Sequence, residues 1–345
     1  MSGYTVTGRV LKQSGGLFTV RLDSTGHPLS GCRIECRARG TLRREGGIFP
    51  GDLAEVVYRD DSFVATSSGG FEPVADPSGV PDAAVSAVLP RKKLLIRPPM
   101  ANLDVIFVVI SASRPDPSLP SVDRLLASAE YRSVEPVVVV TKRDLSAGSA
   151  ESLADIYTKA GYPVFTTSAG ASDGMPDGTD GLAGWIRSAM PGRTAAFAGV
   201  SGAGKSTLMN RLFPGLGLVS GDVARKTGRG RQTTRTVELF ELDLGGADCL
   251  IADTPGFSSV DFECFDFLPL SALPGCMREF AACYPDCRWP DCTHTGEKDC
   301  GVALAVREGR VAPSRQESYR EMYAQLRAKE QRDPKNRRTQ GDPQT

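Results

Sequence analysis

Along the first seventy residues, apolar and polar positions alternate in short bursts. Residues 4–11, 17–22, 33–39 and 53–58 are β-rich runs, separated by Gly15-Gly16, residues 24–27 and Gly46-Gly47. Period-two alternation sends one side of each run into a core and the other into water, so each reads as a strand. Closely spaced short strands with glycine turns predict a small barrel. An oligonucleotide-binding-type (OB-like) β-barrel fits the length, and the pattern also allows a different barrel. Residues 67–82 (SSGGFEPVADPSGVPD) are rich in Gly, Pro and Ser and read as a linker.

From about residue 100 the pattern changes. Apolar runs at 105–110, 136–140, 164–167, 195–200 and 249–253 alternate with helical stretches at 122–131, 149–160 and 205–213. This predicts a largely parallel α/β sheet with helices on both faces. Beyond about 265 a cysteine cluster precedes a predicted helix, 315–329, and the chain after Arg332 reads as disordered.

Composition narrows the class. A chain of 345 residues predicts two or three domains, and 40% hydrophobic with 24% charged residues is ordinary for a soluble protein. No apolar run approaches the ~20 residues of a membrane span, so no membrane partner is expected. Met1-Ser2-Gly3-Tyr4 does not open a secretory signal, which makes the cytoplasm the expected compartment. Basic and acidic residues balance at 41 each, so net charge makes no case for nucleic acid. Local clusters remain: Arg33, Arg37, Arg39, Arg43 and Arg44 early, and Arg225, Lys226, Arg229, Arg231 and Arg235 later. Each is either a solvated face or a phosphate contact.

The segment Gly199-Val200-Ser201-Gly202-Ala203-Gly204-Lys205-Ser206 matches G-x-x-x-x-G-K-[ST], follows an apolar strand and opens a helix that continues with Thr207. Its glycines let backbone N–H groups approach phosphates, Lys205 can reach the β- and γ-phosphates, and Ser206 can ligate Mg²⁺. Thr141-Lys142-Arg143-Asp144 ends another apolar strand in the [NT]-K-x-D form. A carboxylate at Asp144 can accept the ring N–H and exocyclic amine of guanine, a pair that adenine lacks, while the stem of Lys142 lies across the base. Ser168-Ala169, after the next strand, supplies a backbone N–H for the guanine carbonyl. In Asp253-Thr254-Pro255-Gly256, Asp253 holds Mg²⁺ through water and the Gly256 N–H meets the γ-phosphate. The intervening loop, about 214–235, carries Gln232-Thr233-Thr234. Thr234 is the first choice and Thr233 the second for the threonine that joins Mg²⁺ when the γ-phosphate is present. Together these motifs predict a Mg²⁺-dependent enzyme that hydrolyses GTP to GDP and phosphate. Their order, guanine motif before phosphate loop, requires a circularly permuted GTPase domain.

Nine cysteines in a reducing compartment argue for a metal site plus spare thiols. Cys287, Cys292, His294 and Cys300 form C-x4-C-x-H-x5-C, a closed tetrahedral donor set for one structural Zn²⁺ per chain. Cys283 is a substitute ligand by spacing. Cys32, Cys36, Cys249, Cys264 and Cys276 read as small apolar residues.

On these motifs the chain resembles the RsgA/YjeQ (YloQ) family of circularly permuted GTPases. The resemblance also rests on Cys36-Arg37-Ala38-Arg39-Gly40 with Gly51-Asp52, on Leu89-Pro90-Arg91-Lys92, and on the segment from Arg97 to Asp104. It implies an OB-like barrel (1–72), a linker and lead-in segment (73–98), a circularly permuted P-loop GTPase domain (99–262) and a zinc-binding, helical C-terminal domain with a basic tail (263–345). The implied partners are GTP or GDP and the small ribosomal subunit with its rRNA, and the implied role is GTP hydrolysis in late subunit maturation, by a monomer. Action on another RNA or on the large subunit, or service as a nucleotide-sensing RNA-binding module, are the alternatives. The family typically has a histidine where this chain has Gln232, so Gln232 is the candidate water-positioning residue, because Phe257 after the D-T-P-G motif cannot hydrogen-bond.

Overall fold

The computed structural model describes residues 3–23, 27, 29–39, 42, 47–59, 63–65, 71–73, 83–95, 99–168, 177–216, 237–244, 248–254 and 268–332. It divides into two compact units. One comprises Met1–Asp104, Met190–Ala196 and Arg231–Pro255; the other comprises Val105–Ala189, Phe197–Gly230 and Gly256–Thr345.

The first unit opens with β1 (Gly3–Ser14), β2 (Leu17–Leu22), β3 (Arg33–Ala38) and β4 (Leu53–Arg59). A short hairpin follows, β5 (Phe63–Ala65) and β6 (Phe71–Pro73), and then β7 (Ala83–Val88). Strand β1 pairs antiparallel with β2 and β4, β2 with β3, and β7 with β4, while β3 and β7 run parallel. The ring β1-β2-β3-β7-β4 closes on itself, as the alternating pattern predicts, and closure removes the open edges of a free sheet. Inward residues alternate along each strand: Val6 and Val10, Phe18, Val20 and Leu22, Ile34 and Cys36, Ala54 and Val56, Ala83 and Val85. Each large one contributes roughly 1.5–3 kcal/mol by leaving water. The ring-closing strand β7 lies past residue 72. Its AAVSAV is mostly alanine and serine, weak strand formers on which pairing with β3 and β4 imposes the conformation. Arg91 grips Asp52 through two bonds of 2.7 and 2.9 Å and donates to the Gly47 carbonyl at 2.6 Å, fastening the barrel to the short hairpin β8 (Leu94–Leu95) and β9 (Met100–Ala101).

The second unit alternates strand and helix: β10 (Val105–Ser111), α1 (Leu119–Tyr131), β11 (Glu135–Thr141), α2 (Ala147–Lys159), β12 (Val164–Thr166), α3 (Thr179–Ala189), β13 (Thr194–Ala198) and α4 (Lys205–Leu212). The division between units passes through β13. Strands β10, β11 and β12 pair parallel. The valine-rich runs of β10 and β11 are buried on both faces, as in a sheet covered by helices on each side. Helix α3 was not among the expected helices: Gly181 and Gly184 lower its intrinsic propensity. Buried Leu182 and Ile186, with Trp185 edge-on to Phe107 at 5.7 Å, supply the apolar face that holds it.

The C-terminal segment begins with 3-10 turns at Leu270–Ala272, Pro274–Cys276 and Arg278–Asp286, then α5 (Gly301–Arg307) and α6 (Pro313–Arg332). Leu273, Met277, Phe280, Val302, Tyr319, Met322 and Leu326 form its core, into which Ala127 of α1 also packs. Arg315, fully buried on α6, bonds Asp123 of α1 at 2.7 Å and Glu279 at 2.7 Å. Burial alone would lower the Arg315 pKa, but the two carboxylates outweigh it and keep the guanidinium charged.

The last two strands, β14 (Glu238–Asp243) and β15 (Asp248–Asp253), form an antiparallel hairpin in the first unit. Strand β14 extends the barrel, pairing with β1 at Lys12↔Glu238. No described helix is long and apolar enough to cross a membrane.

Candidate nucleotide site and metal cluster

The phosphate-loop motif connects β13 to α4, in the strand–loop–helix setting it needs. Gly199 leaves the strand against β10, where a Cβ would lie 2.2 Å from the Val109 carbonyl oxygen. Gly204 caps α4 at φ 91°, a left-handed conformation that disfavours other residues. Lys205 is buried at the first position of the helix, and its Nζ donates to the carbonyls of Gly199 at 2.8 Å and Val200 at 3.2 Å. The ammonium is thus held inside its own loop, where a phosphate oxygen can compete for it. Ser206 and Thr207 follow on the first turn.

The guanine motif sits at the end of β11 and is bonded directly to this loop. The Thr141 hydroxyl donates to the Ala203 carbonyl at 2.6 Å and lies 3.2 Å from that of Ile110. Lys142, with φ 59°, sends its ammonium to the carbonyls of Gly202 at 2.8 Å and Arg114 at 2.5 Å. Sequence reasoning assigned only the stem of Lys142; its head group bridges base motif and phosphate loop. The Asp144 side chain is exposed, and its backbone N–H donates to the Ser168 hydroxyl at 3.1 Å. Two further residues went unnoticed in the sequence. Asp177 accepts from Ser168 N–H through its carbonyl at 2.6 Å and meets Arg211 of α4 at 2.9 Å. Bonds from the Thr179 hydroxyl and N–H hold the Asp177 carboxyl below its ordinary value. The signal in the sequence is the run Asp177-Gly178-Thr179-Asp180, a turn and helix-start pattern.

Asp253 ends β15, directly across the hairpin from Glu238, and Thr254 behind it is buried. Ala169, Gln232, Thr233, Thr234, Gly256 and Phe257 lie outside the described residues.

In the C-terminal segment the donor atoms of Cys287, Cys292, His294 and Cys300 all lie within 4.8 Å of one another. His294 Nδ1 is 3.7 Å from Cys287 Sγ and 3.6 Å from Cys300 Sγ. Tetrahedral zinc with its usual bond lengths sets such S···N separations at about 3.5 Å, so the cluster has the size to hold that ion. Around it, Gly301 N–H donates to Cys287 Sγ at 3.2 Å, Tyr284 stacks on the His294 ring at 5.0 Å, and the Tyr319 hydroxyl of α6 donates to the Thr293 carbonyl at 2.8 Å. Cys283 is not part of the group; its thiol is buried and faces the Glu279 carbonyl at 3.4 Å.

The RsgA GTPase family model matches residues 88–263. The protein named Small ribosomal subunit biogenesis GTPase RsgA from Caldanaerobacter subterraneus subsp. tengcongensis is 33% identical over 334 residues, covering 96% of this chain and 99% of that one. The protein of the same name from Alkaliphilus metalliredigens is 34% identical over 323 residues, 93% of this chain and 97% of its own. Among solved structures, YjeQ from Thermotoga maritima superposes with a TM-score of 0.66 at 30% identity, covering 94% of this chain and 99% of that one. YloQ, a circularly permuted GTPase, gives 0.63 at 27% identity, covering 94% of this chain and 96% of its own. A match through the nucleotide motifs and relatives a third identical along nearly the whole length establish that the chain belongs to the RsgA GTPase family.

Proposed function

We propose that this GTPase binds the small ribosomal subunit through its rRNA and hydrolyses GTP during subunit maturation, as a cytoplasmic monomer carrying one structural zinc. The observation that carries the nucleotide reading is the direct bonding of the guanine motif to the phosphate loop, through Thr141 to Ala203 and Lys142 to Gly202. The subunit comes from the printed names of the relatives.

In this reading Asp144 accepts from the guanine ring and amine, and the Ala169 N–H meets its carbonyl, because the Ser168 N–H is already given to the Asp177 carbonyl. Backbone N–H groups from Gly199 to Ser206 surround the phosphates, with Thr207 on the helix behind them. Lys205 exchanges its loop carbonyls for phosphate oxygens. Mg²⁺, when bound, neutralises charge on the phosphates, and Ser206, Thr234 and, through water, Asp253 are the groups that would hold it. The Gly256 N–H meets the γ-phosphate, and Gln232 orients the attacking water, having both a donor and an acceptor. Cys287, Cys292, His294 and Cys300 hold the zinc.

The test of the nucleotide reading is Asp144→Asn. Two charge-assisted bonds at roughly 1.5–3 kcal/mol each amount to a loss in GTP affinity on the order of hundredfold or more. Turnover should move toward xanthosine triphosphate, which offers the complementary group. Unchanged GTP binding would remove Asp144 from the base site.

A further inference from the structure

The barrel and the hairpin β14–β15 form one hydrogen-bonded ladder. Across it, Lys12 of β1 faces Glu238 of β14, and Glu238 faces Asp253 of β15. The Lys12 ammonium meets the Glu238 carboxylate at 2.7 Å. Three residues along β14, Glu241 accepts from two more barrel cations, Arg21 of β2 and Arg33 of β3, the latter through Nε at 2.9 Å. Arg21 and Arg33 are themselves register partners. Three successive barrel strands therefore each send a cation to one of two glutamates on β14. No packing need explains a lysine and an arginine that are each a third or more exposed, at 37% for Lys12 and 56% for Arg33.

From this rung we infer that Lys12 and Glu238 are positioning residues for GTP hydrolysis: β13 flanks β15 on one side of the hairpin, and on the other the barrel sets the register of β14 and, through it, contributes to the place of Asp253. The inference rests on the reading of Asp253 as the Mg²⁺-side carboxylate. Asp253 ends its strand, so a shift of the hairpin along β1 moves it bodily. Displacements near 1 Å at such a group can cost ~10²-fold in rate. A single exposed pair controls a smaller part of that, about fivefold, the upper range for such contacts.

The experiment uses the full chain and reads the Mg²⁺ concentration for half-maximal GTP turnover, beside KM for GTP, GDP affinity and melting temperature. Lys12→Glu and Glu238→Lys should each raise the Mg²⁺ requirement about fivefold with GDP affinity unchanged. The swapped pair carrying both changes should return to within about twofold of the parent, because the attraction is restored with reversed sign. Asp253→Asn is the control for the underlying reading and should raise the requirement more than either. If Asp253→Asn shifts it and the two reversals do not, the positioning role is wrong while the Asp253 assignment stands. If the reversals act but the swap fails to rescue them, the pairing is not the cause and the inference falls. If Asp253→Asn leaves the requirement unchanged, the reading and the inference fall together.

Discussion

Lys142→Met isolates the bridge between the Thr141–Asp144 motif and the phosphate-loop motif. The substitution keeps most of the aliphatic stem and removes the ammonium, which donates to Gly202 at 2.8 Å and Arg114 at 2.5 Å. A charge-assisted hydrogen bond contributes roughly 1.5–3 kcal/mol when sheltered. Both of these are open to solvent, so about 1 kcal/mol each is the better figure, or ~2 kcal/mol together. At 1.4 kcal/mol per tenfold, nucleotide affinity should fall about 30-fold. Because the lost bonds hold the phosphate loop at Gly202 and the segment after β10 at Arg114, and not the base, GTP, GDP and inosine nucleotides should weaken by the same factor. Lys142→Ala, which removes the stem as well, should fall further. Equilibrium titration with a fluorescent GDP analogue, with the other nucleotides as competitors, measures all of this. GDP affinity within twofold of the parent in Lys142→Met would show that the bridge does not organise the loop.

Freshly purified protein should contain one zinc per chain, and Cys292→Ser should lose it and melt the C-terminal segment while GDP binding persists; metal analysis with circular dichroism reads both. Arg315→Ala leaves Asp123 and Glu279 buried without their cation, so stability should drop by about 3–5 kcal/mol in denaturant titration. Partial burial would raise the Glu241 carboxyl, but bonds from Arg33 and Arg21 outweigh it and hold its pKa below the usual value. That contribution is present above the ordinary Glu range, about 4.3, and is lost as pH falls through the lowered folded value. The melting-temperature difference between the parent and Glu241→Gln should accordingly be full at pH 7 and shrink at acid pH below 4.3. Gln232→Ala should cut subunit-stimulated single-turnover rates while sparing GTP affinity; full activity would remove Gln232 from catalysis.

Legibility in the sequence followed local chemistry. The barrel strands β1 to β4 were readable because Val6, Val10, Phe18, Val20 and Ile34 alternate with polar neighbours. Strand β7 was not, since Ala83–Val88 is made a strand by its partners and not by its composition. The phosphate-loop motif was legible because glycine at φ 91° and a lysine opening the helix directly after a strand and a glycine-rich loop leave few other residue choices. What escaped was long-range. Nothing near Lys142 in sequence points to Gly202, 60 residues away, and nothing near Arg315 points to Asp123, 192 residues away. The zinc-type spacing was readable because its donors fall within one short loop, while the packing of that segment on α1 was not.

In this account GTP turnover answers to the small ribosomal subunit. Its most direct measurement is phosphate release by the full chain from GTP and from ATP, alone, with purified small subunits and with purified large subunits. GTP hydrolysis should rise many-fold with small subunits only, and ATP should remain unhydrolysed throughout. Equal stimulation by large subunits, or no response of GTP turnover to either, would rule out that dependence.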